Sequence, residues 1–241
     1  MTTHLAYFEN TYKFNDQAII MASDKDESGP YLMLNQTIFY PQGGGQPSDQ
    51  GMIKVEDLLI PIYRVKNMGD EVRHYTDQVY NHLIGQESTC LVDRDTRLLH
   101  AKLHSAGHLI SNVIESLCPD YYAVKGHHFP GECYVEFNSK NGSLDEISID
   151  LVNEEIDRVI RKNLNINTDQ VSADKVIALF PNITYNIPNG QSIRMIRIGD
   201  FPFSPCGGTH VKSLQELQGL KITKLKNKKN IIKIQYDIKV L

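Results

Sequence analysis

The chain has 241 residues, a hydrophobic fraction of 41%, a charged fraction of 22% and a formal net charge of −4. These values suit a globular chain long enough to bury one large core or two modest ones. No apolar run approaches the roughly 18–20 residues that cross a bilayer. The N-terminal Met1-Thr-Thr-His-Leu5 lacks the basic start and apolar stretch of a secretory leader, so no membrane partner and a cytoplasmic location are expected.

Residues 1 to about 92 read as short strands with turn signals, at 18–21, 31–34, 37–40, 51–55 and 58–65. Short β runs at this spacing predict a small β-barrel or sandwich. Between two of them lies Pro41-Gln-Gly-Gly-Gly-Gln-Pro-Ser48, too rich in glycine and proline for a strand. The pattern changes near Asp93. Leu99, Leu103, Ala106, Leu109, Ile110, Val113, Ile114 and Leu117 recur at helical spacing, and Pro119 disfavours helix in the residue before it. Strands at 121–124 and 133–137 follow, then a helix from about Asp150 and a short helix after Ser172. The tail returns to strands at 192–198, 220–225 and 231–236, the last two flanking the turn sequence Asn227-Lys-Lys-Asn230. The fold class is α+β: an N-terminal barrel-like domain over 1–92 and an α+β domain over 93–241.

Charge is unevenly spread. From residue 212 onward eight lysines face only Glu216 and Asp237, which suits a phosphate-facing surface or an edge hairpin kept soluble by lysine. The four cysteines, Cys90, Cys118, Cys133 and Cys206, form no tight framework. Reduced thiols are expected, with Cys206 set apart by its neighbours.

Two motifs carry chemistry. His104-Ser-Ala-Gly-His108 lies inside the long helical stretch, where residues four apart share one face and both imidazoles can meet one ion. Ser105 stands where a zinc peptidase needs its glutamate, which excludes that chemistry. Cys206-Gly-Gly-Thr-His210 repeats the spacing on a segment whose proline and glycines favour a tight turn. A thiolate with three imidazoles suits zinc, so His104, His108, Cys206 and His210 are the expected ligands of one Zn2+. Four protein ligands normally close a site. An open position requires either release of His210 or expansion to five-coordination.

Arg97-Leu-Leu-His-Ala-Lys-Leu-His104-Ser-Ala-Gly-His108-Leu109 together with Ser204-Pro-Cys206-Gly-Gly-Thr-His210-Val211 resembles the paired motif of alanyl-tRNA editing domains. Such domains are found in alanyl-tRNA synthetase and in free-standing AlaX-type proteins. Phe39-Tyr-Pro-Gln-Gly-Gly-Gly-Gln-Pro-Ser-Asp-Gln-Gly51 is similar to the glycine-rich segment of the longer members. The stretch from Val124-Lys-Gly126 to Val135-Glu-Phe137 is similar to their substrate-pocket region. The resemblance runs from residue 1 to about 225. It implies a medium-length, trans-acting hydrolase that clears serine, and in some members glycine, from tRNA(Ala).

Within that reading Gly207, Gly208 and Thr209 are the candidate catalytic groups, the turn amides donating to a developing oxyanion. Thr37, Gly43, Gly44, Gly45 and Ser105 are the candidate substrate-binding residues. A pocket built to hydrogen-bond the serine hydroxyl leaves groups unpaired with alanine, which gives selectivity its physical basis. Two other readings stay open at this stage: a deacylase for another mischarged tRNA or a small ester, and a non-catalytic zinc-stabilised RNA-binding module.

Overall fold

A computed structural model describes residues 2–140, 147–179, 192–228 and 231–239. The chain divides into two compact units, Met1–His104 with His127–Glu132, and Ser105–Gly126 with Cys133–Leu241. The protein is α+β and mostly strand. No described helix is long and apolar enough to cross a membrane.

The first unit contains β1 (His4–Leu5), β2 (Asn15–Asp26), β3 (Gly29–Leu34), β4 (Gln36–Thr37), β5 (Gly51–Val55), β6 (Leu58–Ile62), β7 (Arg64–Asn67), β8 (Val72–Tyr75) and β9 (Glu87–Val92). Seven of these form one sheet in the order β6-β5-β9-β2-β3-β8-β7. Strand β2 turns the corner: residues 15–19 pair with β9, residues 20–26 pair with β3, and the register shifts between Ile20 and Ala22. Bulges of this kind bend a strand so that it can serve two sheet directions. The inward face buries Ile20, Leu32, Leu34, Ile53, Ile60 and Val65 in one apolar core.

The sheet does not close into the expected barrel. Its two edge strands, β6 and β7, follow each other through Tyr63 alone, and one residue cannot reverse the chain as a hairpin loop does. The expected single strand over 58–65 is therefore a corner, and among the described residues no ladder joins its two halves. The expected strand over 37–40 is also cut short, to Gln36–Thr37. Side chains replace its ladder: Thr37 Oγ1 accepts the Phe39 N–H, and Asp49 Oδ2 accepts the Tyr40 N–H. Strands β8 and β9 were not anticipated.

Helix α1 (Arg94–Leu117) runs through the division between the units. Asp93 caps it, its Oδ1 accepting the Thr96 N–H at 2.8 Å. The Cys118 N–H closes the last turn on the Ile114 carbonyl before Pro119 ends the helix. Between Ala101 and Ile110 only Lys102 and His108 retain partial exposure, so the helix is enclosed on all sides there.

The second unit holds β10 (Tyr121–His127), β11 (Tyr134–Ser139), α2 (Ile149–Arg161), β12 (Ile166–Ser172), α3 (Ala173–Leu179), β13 (Ser192–Ile198), β14 (Ser204–Pro205), β15 (Leu220–Lys228) and β16 (Ile231–Ile238). They build a four-stranded sheet, β10-β11-β16-β15, and a three-stranded sheet, β12-β13-β14. The polar β12 escaped the sequence reading, yet it pairs along its whole length with β13. The β15–β16 hairpin forms as expected, although residues 229 and 230 of its turn lie outside the described residues. Asn153 of α2 covers the open edge of β15: its Oδ1 accepts the Ile222 N–H at 2.8 Å, and its Nδ2 donates to the Ile222 carbonyl at 3.5 Å. This side-chain amide stands in for a missing strand.

Candidate metal centre

His104 and His108 lie one turn apart on α1, so their side chains project from the same face. Cys206 and His210 come from the turn that follows β14. That turn is anchored to β13 rather than wound into helix. Met195 and Ile196 pair with Pro205 and Ser204, and the Cys206 N–H donates to the Arg194 carbonyl at 3.0 Å. The Arg194 guanidinium holds the far side, donating to the Cys206 carbonyl at 2.9 Å and the Gly208 carbonyl at 2.8 Å.

Within the second unit Cys206 Sγ lies 3.2 Å from His210 Nε2, and the His108 and His210 rings meet edge to face at 5.2 Å. With His104, one helical turn earlier, the donor atoms of His104, His108, Cys206 and His210 all lie within 4.8 Å of one another. A soft sulfur and three borderline nitrogens at that spacing can hold one metal ion. The four residues expected as ligands are the members of this cluster.

Hydrogen bonds orient the donors. His210 Nδ1 lies 3.1 Å from Ser105 Oγ, which also accepts the Val211 N–H at 3.1 Å. The Gly208 N–H is directed at Cys206 Sγ, at 3.4 Å. In the first unit His104 Nδ1 lies 2.7 Å from Gln46 Oε1, and the His104 ring stacks on His128 at 4.8 Å. Burial pushes His108 down to about 4, with the Arg194 charge adding to the effect, so its imidazole is neutral and able to ligate. Burial pushes the Cys206 thiol up to about 11, against the Gly208 amide and Arg194, which lower it. A cation bound among these groups reverses that balance, because its charge favours the thiolate.

The other expected site residues are placed as follows. Gly43 and Gln46 exchange backbone bonds of 3.2 and 2.8 Å across Gly44 and Gly45, which have φ of +53° and +77°. A two-residue turn with both central φ positive is open to glycine at low cost. Gly43 and Gly44 are exposed. A Cβ on Gly44 would sit 4.0 Å from His104 Cε1, so the turn lies beside that ring. Ser105 is fully buried and serves His210 and Val211. Thr37 lies in the β core, its Oγ1 2.7 Å from His74 Nε2. In the 206–210 turn Gly207 is exposed, whereas Gly208 and Thr209 are buried.

Sequence reasoning gave no role to Gln46 at His104, to His128 or to Arg194. A histidine pair at 127–128 beside a glycine-rich region was the available signal for His128. An arginine in an alternating strand gives none for Arg194.

A family model described as threonyl and alanyl tRNA synthetase second additional domain matches residues 193–233, the stretch that contains Cys206 and His210. A second, described as tRNA synthetases class II (A), matches residues 3–96. The chain is 29% identical over 250 residues to the alanyl-tRNA editing protein AlaX-M of Methanosarcina acetivorans, covering 94% of each. It is 27% identical to AlaX-L of Pyrococcus horikoshii over 95% of this chain, but spans only 56% of that protein. Against the alanine–tRNA ligase of Metallosphaera sedula it is 24% identical over 97% of the chain and 26% of the ligase. In motif and in sequence the chain is similar to the alanyl-tRNA editing proteins of AlaX type.

Proposed function

We propose that this protein is a trans-acting, zinc-dependent aminoacyl-tRNA deacylase that hydrolyses serine, with glycine as a second accepted residue, from mischarged tRNA(Ala) in the cytoplasm. The observation that carries the reading is the convergence of one thiol and three imidazoles within 4.8 Å in a chain similar over 94% of its length to proteins named for alanyl-tRNA editing. The matched AlaX-M protein is named an alanyl-tRNA editing protein, which supports this reading. Residues 93–241 are the editing domain in this proposal, and residues 1–92 a β domain that carries the glycine-rich turn.

His104, His108, Cys206 and His210 would hold the zinc, which when bound supplies Lewis acidity and lowers the pKa of coordinated water. The chain's own groups bind and orient the ester. Gly207 is exposed beside a ligand, so its N–H is our candidate donor to the carbonyl oxygen as negative charge develops there. The Gly208 amide is turned to sulfur instead, where it steadies the thiolate. Thr209 is a further candidate within this turn, and Ser105 acts on the turn through His210. The decisive experiment measures deacylation of seryl-, glycyl- and alanyl-tRNA(Ala) before and after removal of the metal by a chelator. The proposal expects turnover of the serine ester, little of the alanine ester, and loss and recovery with zinc. Binding of RNA without turnover of any ester would overturn it in favour of a non-catalytic module.

A further inference from the structure

Gln46 is fully buried although it belongs to an exposed glycine turn. The turn explains how: Gly44 and Gly45 reverse the chain with positive φ, and Gln46 is the first residue after the reversal. Its side chain points inward and places Oε1 2.7 Å from His104 Nδ1. The Gly45 carbonyl accepts the His128 N–H at 2.8 Å, and the His128 ring stacks on the His104 ring at 4.8 Å. The His104 ring is thus gripped at Nδ1 and along its plane by residues of the first unit.

A neutral imidazole carries one N–H, and only the other nitrogen can ligate. An amide oxygen at Nδ1 accepts a hydrogen bond, so it holds the proton there and leaves the Nε2 lone pair for the ion. Ser105 makes the parallel arrangement at His210, with Nδ1 beside its hydroxyl oxygen and Nε2 beside Cys206 Sγ.

We infer that Gln46 is a positioning residue for the metal centre: it fixes His104 in the Nδ1–H tautomer, and the glycine-rich turn exists to deliver it. The inference rests on His104 being a zinc ligand, as proposed above. It reassigns the Gly43–Gln46 segment from the substrate to the ligand sphere.

Zinc affinity, measured by competition with a chromophoric chelator on the full-length chain, tests this without recourse to activity. Q46L is expected to weaken zinc binding by about 10–100-fold, and Q46E, which keeps an acceptor oxygen, to restore it. The 15N shifts of the metal-free protein should report protonated Nδ1 at His104 in the wild type and a mixed tautomer in Q46L. Should Q46L fold poorly, Q46M supplies the same loss of the acceptor in a flexible chain of similar length. Wild-type zinc affinity in folded Q46L or Q46M, or an unchanged His104 tautomer, overturns the inference. Failure of the wild type to bind zinc overturns the underlying metal assignment instead, so the two failures are distinguishable.

Discussion

Asp49 and Arg97 form an ion pair in which neither side chain retains any exposure. Arg97 Nε donates to both carboxylate oxygens at 2.9 Å, Nη1 donates to the Thr11 carbonyl at 2.9 Å, and Nη2 reaches Asp49 and the Ile38 carbonyl. Asp49 in turn accepts the Tyr40 N–H at 2.6 Å. The pair fastens the first turns of α1, which carry His104 further along, to the segment that enters and leaves the glycine-rich turn. Removing one partner strands the other as a buried charge, which costs about 3–5 kcal/mol. R97M and D49A should each lower stability by that amount in urea unfolding. The double variant R97M/D49A should cost clearly less than the sum of the two, and simple additivity would show that the charges do not act as a pair.

His74 gives a prediction about pH. It is buried between the Leu32 carbonyl, 3.2 Å from Nδ1, and Thr37 Oγ1, 2.7 Å from Nε2. Burial pushes it down to about 4, partly opposed by backbone hydrogen bonds to Leu32 and Val72. In the unfolded chain the same group titrates near 6.5. As pH falls through 6.5 the unfolded state takes up a proton that the folded state refuses until about pH 4. The contribution is therefore intact above about 6.5 and is lost on acidification across that window, at most roughly 3 kcal/mol. Burial also lowers His100, so the comparison must be with H74Q, whose stability should fall less steeply between pH 6.5 and 4. Parallel curves for the two proteins would dismiss His74 as the source.

How much of this was legible from sequence follows the range of the interactions involved. Helix α1 was readable because Leu103, Ala106, Ile110 and Val113 repeat with the period of the element that buries them. The His/Cys cluster was readable because each of its pairs sits four residues apart on a local scaffold. The segment Ile38-Phe-Tyr40 misled for the same reason. It is apolar and strand-like, but Asp49 and Thr37 side chains satisfy its amides, and no local pattern announces that. Gln46 lies 58 residues from His104, and a glutamine carries no sign of its partner. Arg194 was hidden in a strand whose alternation accounted for it fully. Candidate ligands are advertised by residue type, whereas the groups hydrogen-bonded to them are ordinary polar residues recruited by the fold.

Metal removal should separate the site from the scaffold. Zinc that binds the folded chain alone raises its stability by RT ln(1 + [Zn]/Kd), about 2.7 kcal/mol at a hundredfold excess over Kd. The wild-type Tm should therefore rise with zinc and return to its starting value on chelation. C206S should lose most of that increment while its metal-free Tm stays near that of the metal-free wild type, because Cys206 is only half-buried and serine is nearly isosteric. A C206S protein that gains as much from zinc as the wild type would exclude the thiol from the ligand set.

The lysines of the β15–β16 hairpin pose a sharper question. Lys226 and Lys233 are direct cross-strand partners, a like-charge arrangement that costs stability in an antiparallel pair. Lys233 is partly answered by Glu136 at 3.6 Å and lies over the Tyr134 ring, and Lys221 is paired with Asp157 at 2.6 Å. Exposed Lys226 and its neighbour Lys224 face outward on the same strand. If lysine only keeps this edge soluble, K226E exchanges repulsion for attraction with no effect on RNA. If the face meets phosphates, the same change stabilises the protein yet weakens binding. The proposed tRNA substrate favours the second outcome. K226E should gain roughly 0.2–1 kcal/mol in urea unfolding, raise KM for aminoacyl-tRNA while leaving kcat unchanged, and reduce the salt dependence of tRNA binding by about one counterion. A stabilised variant whose KM and salt slope match the wild type would assign these lysines to the solubility of the hairpin alone.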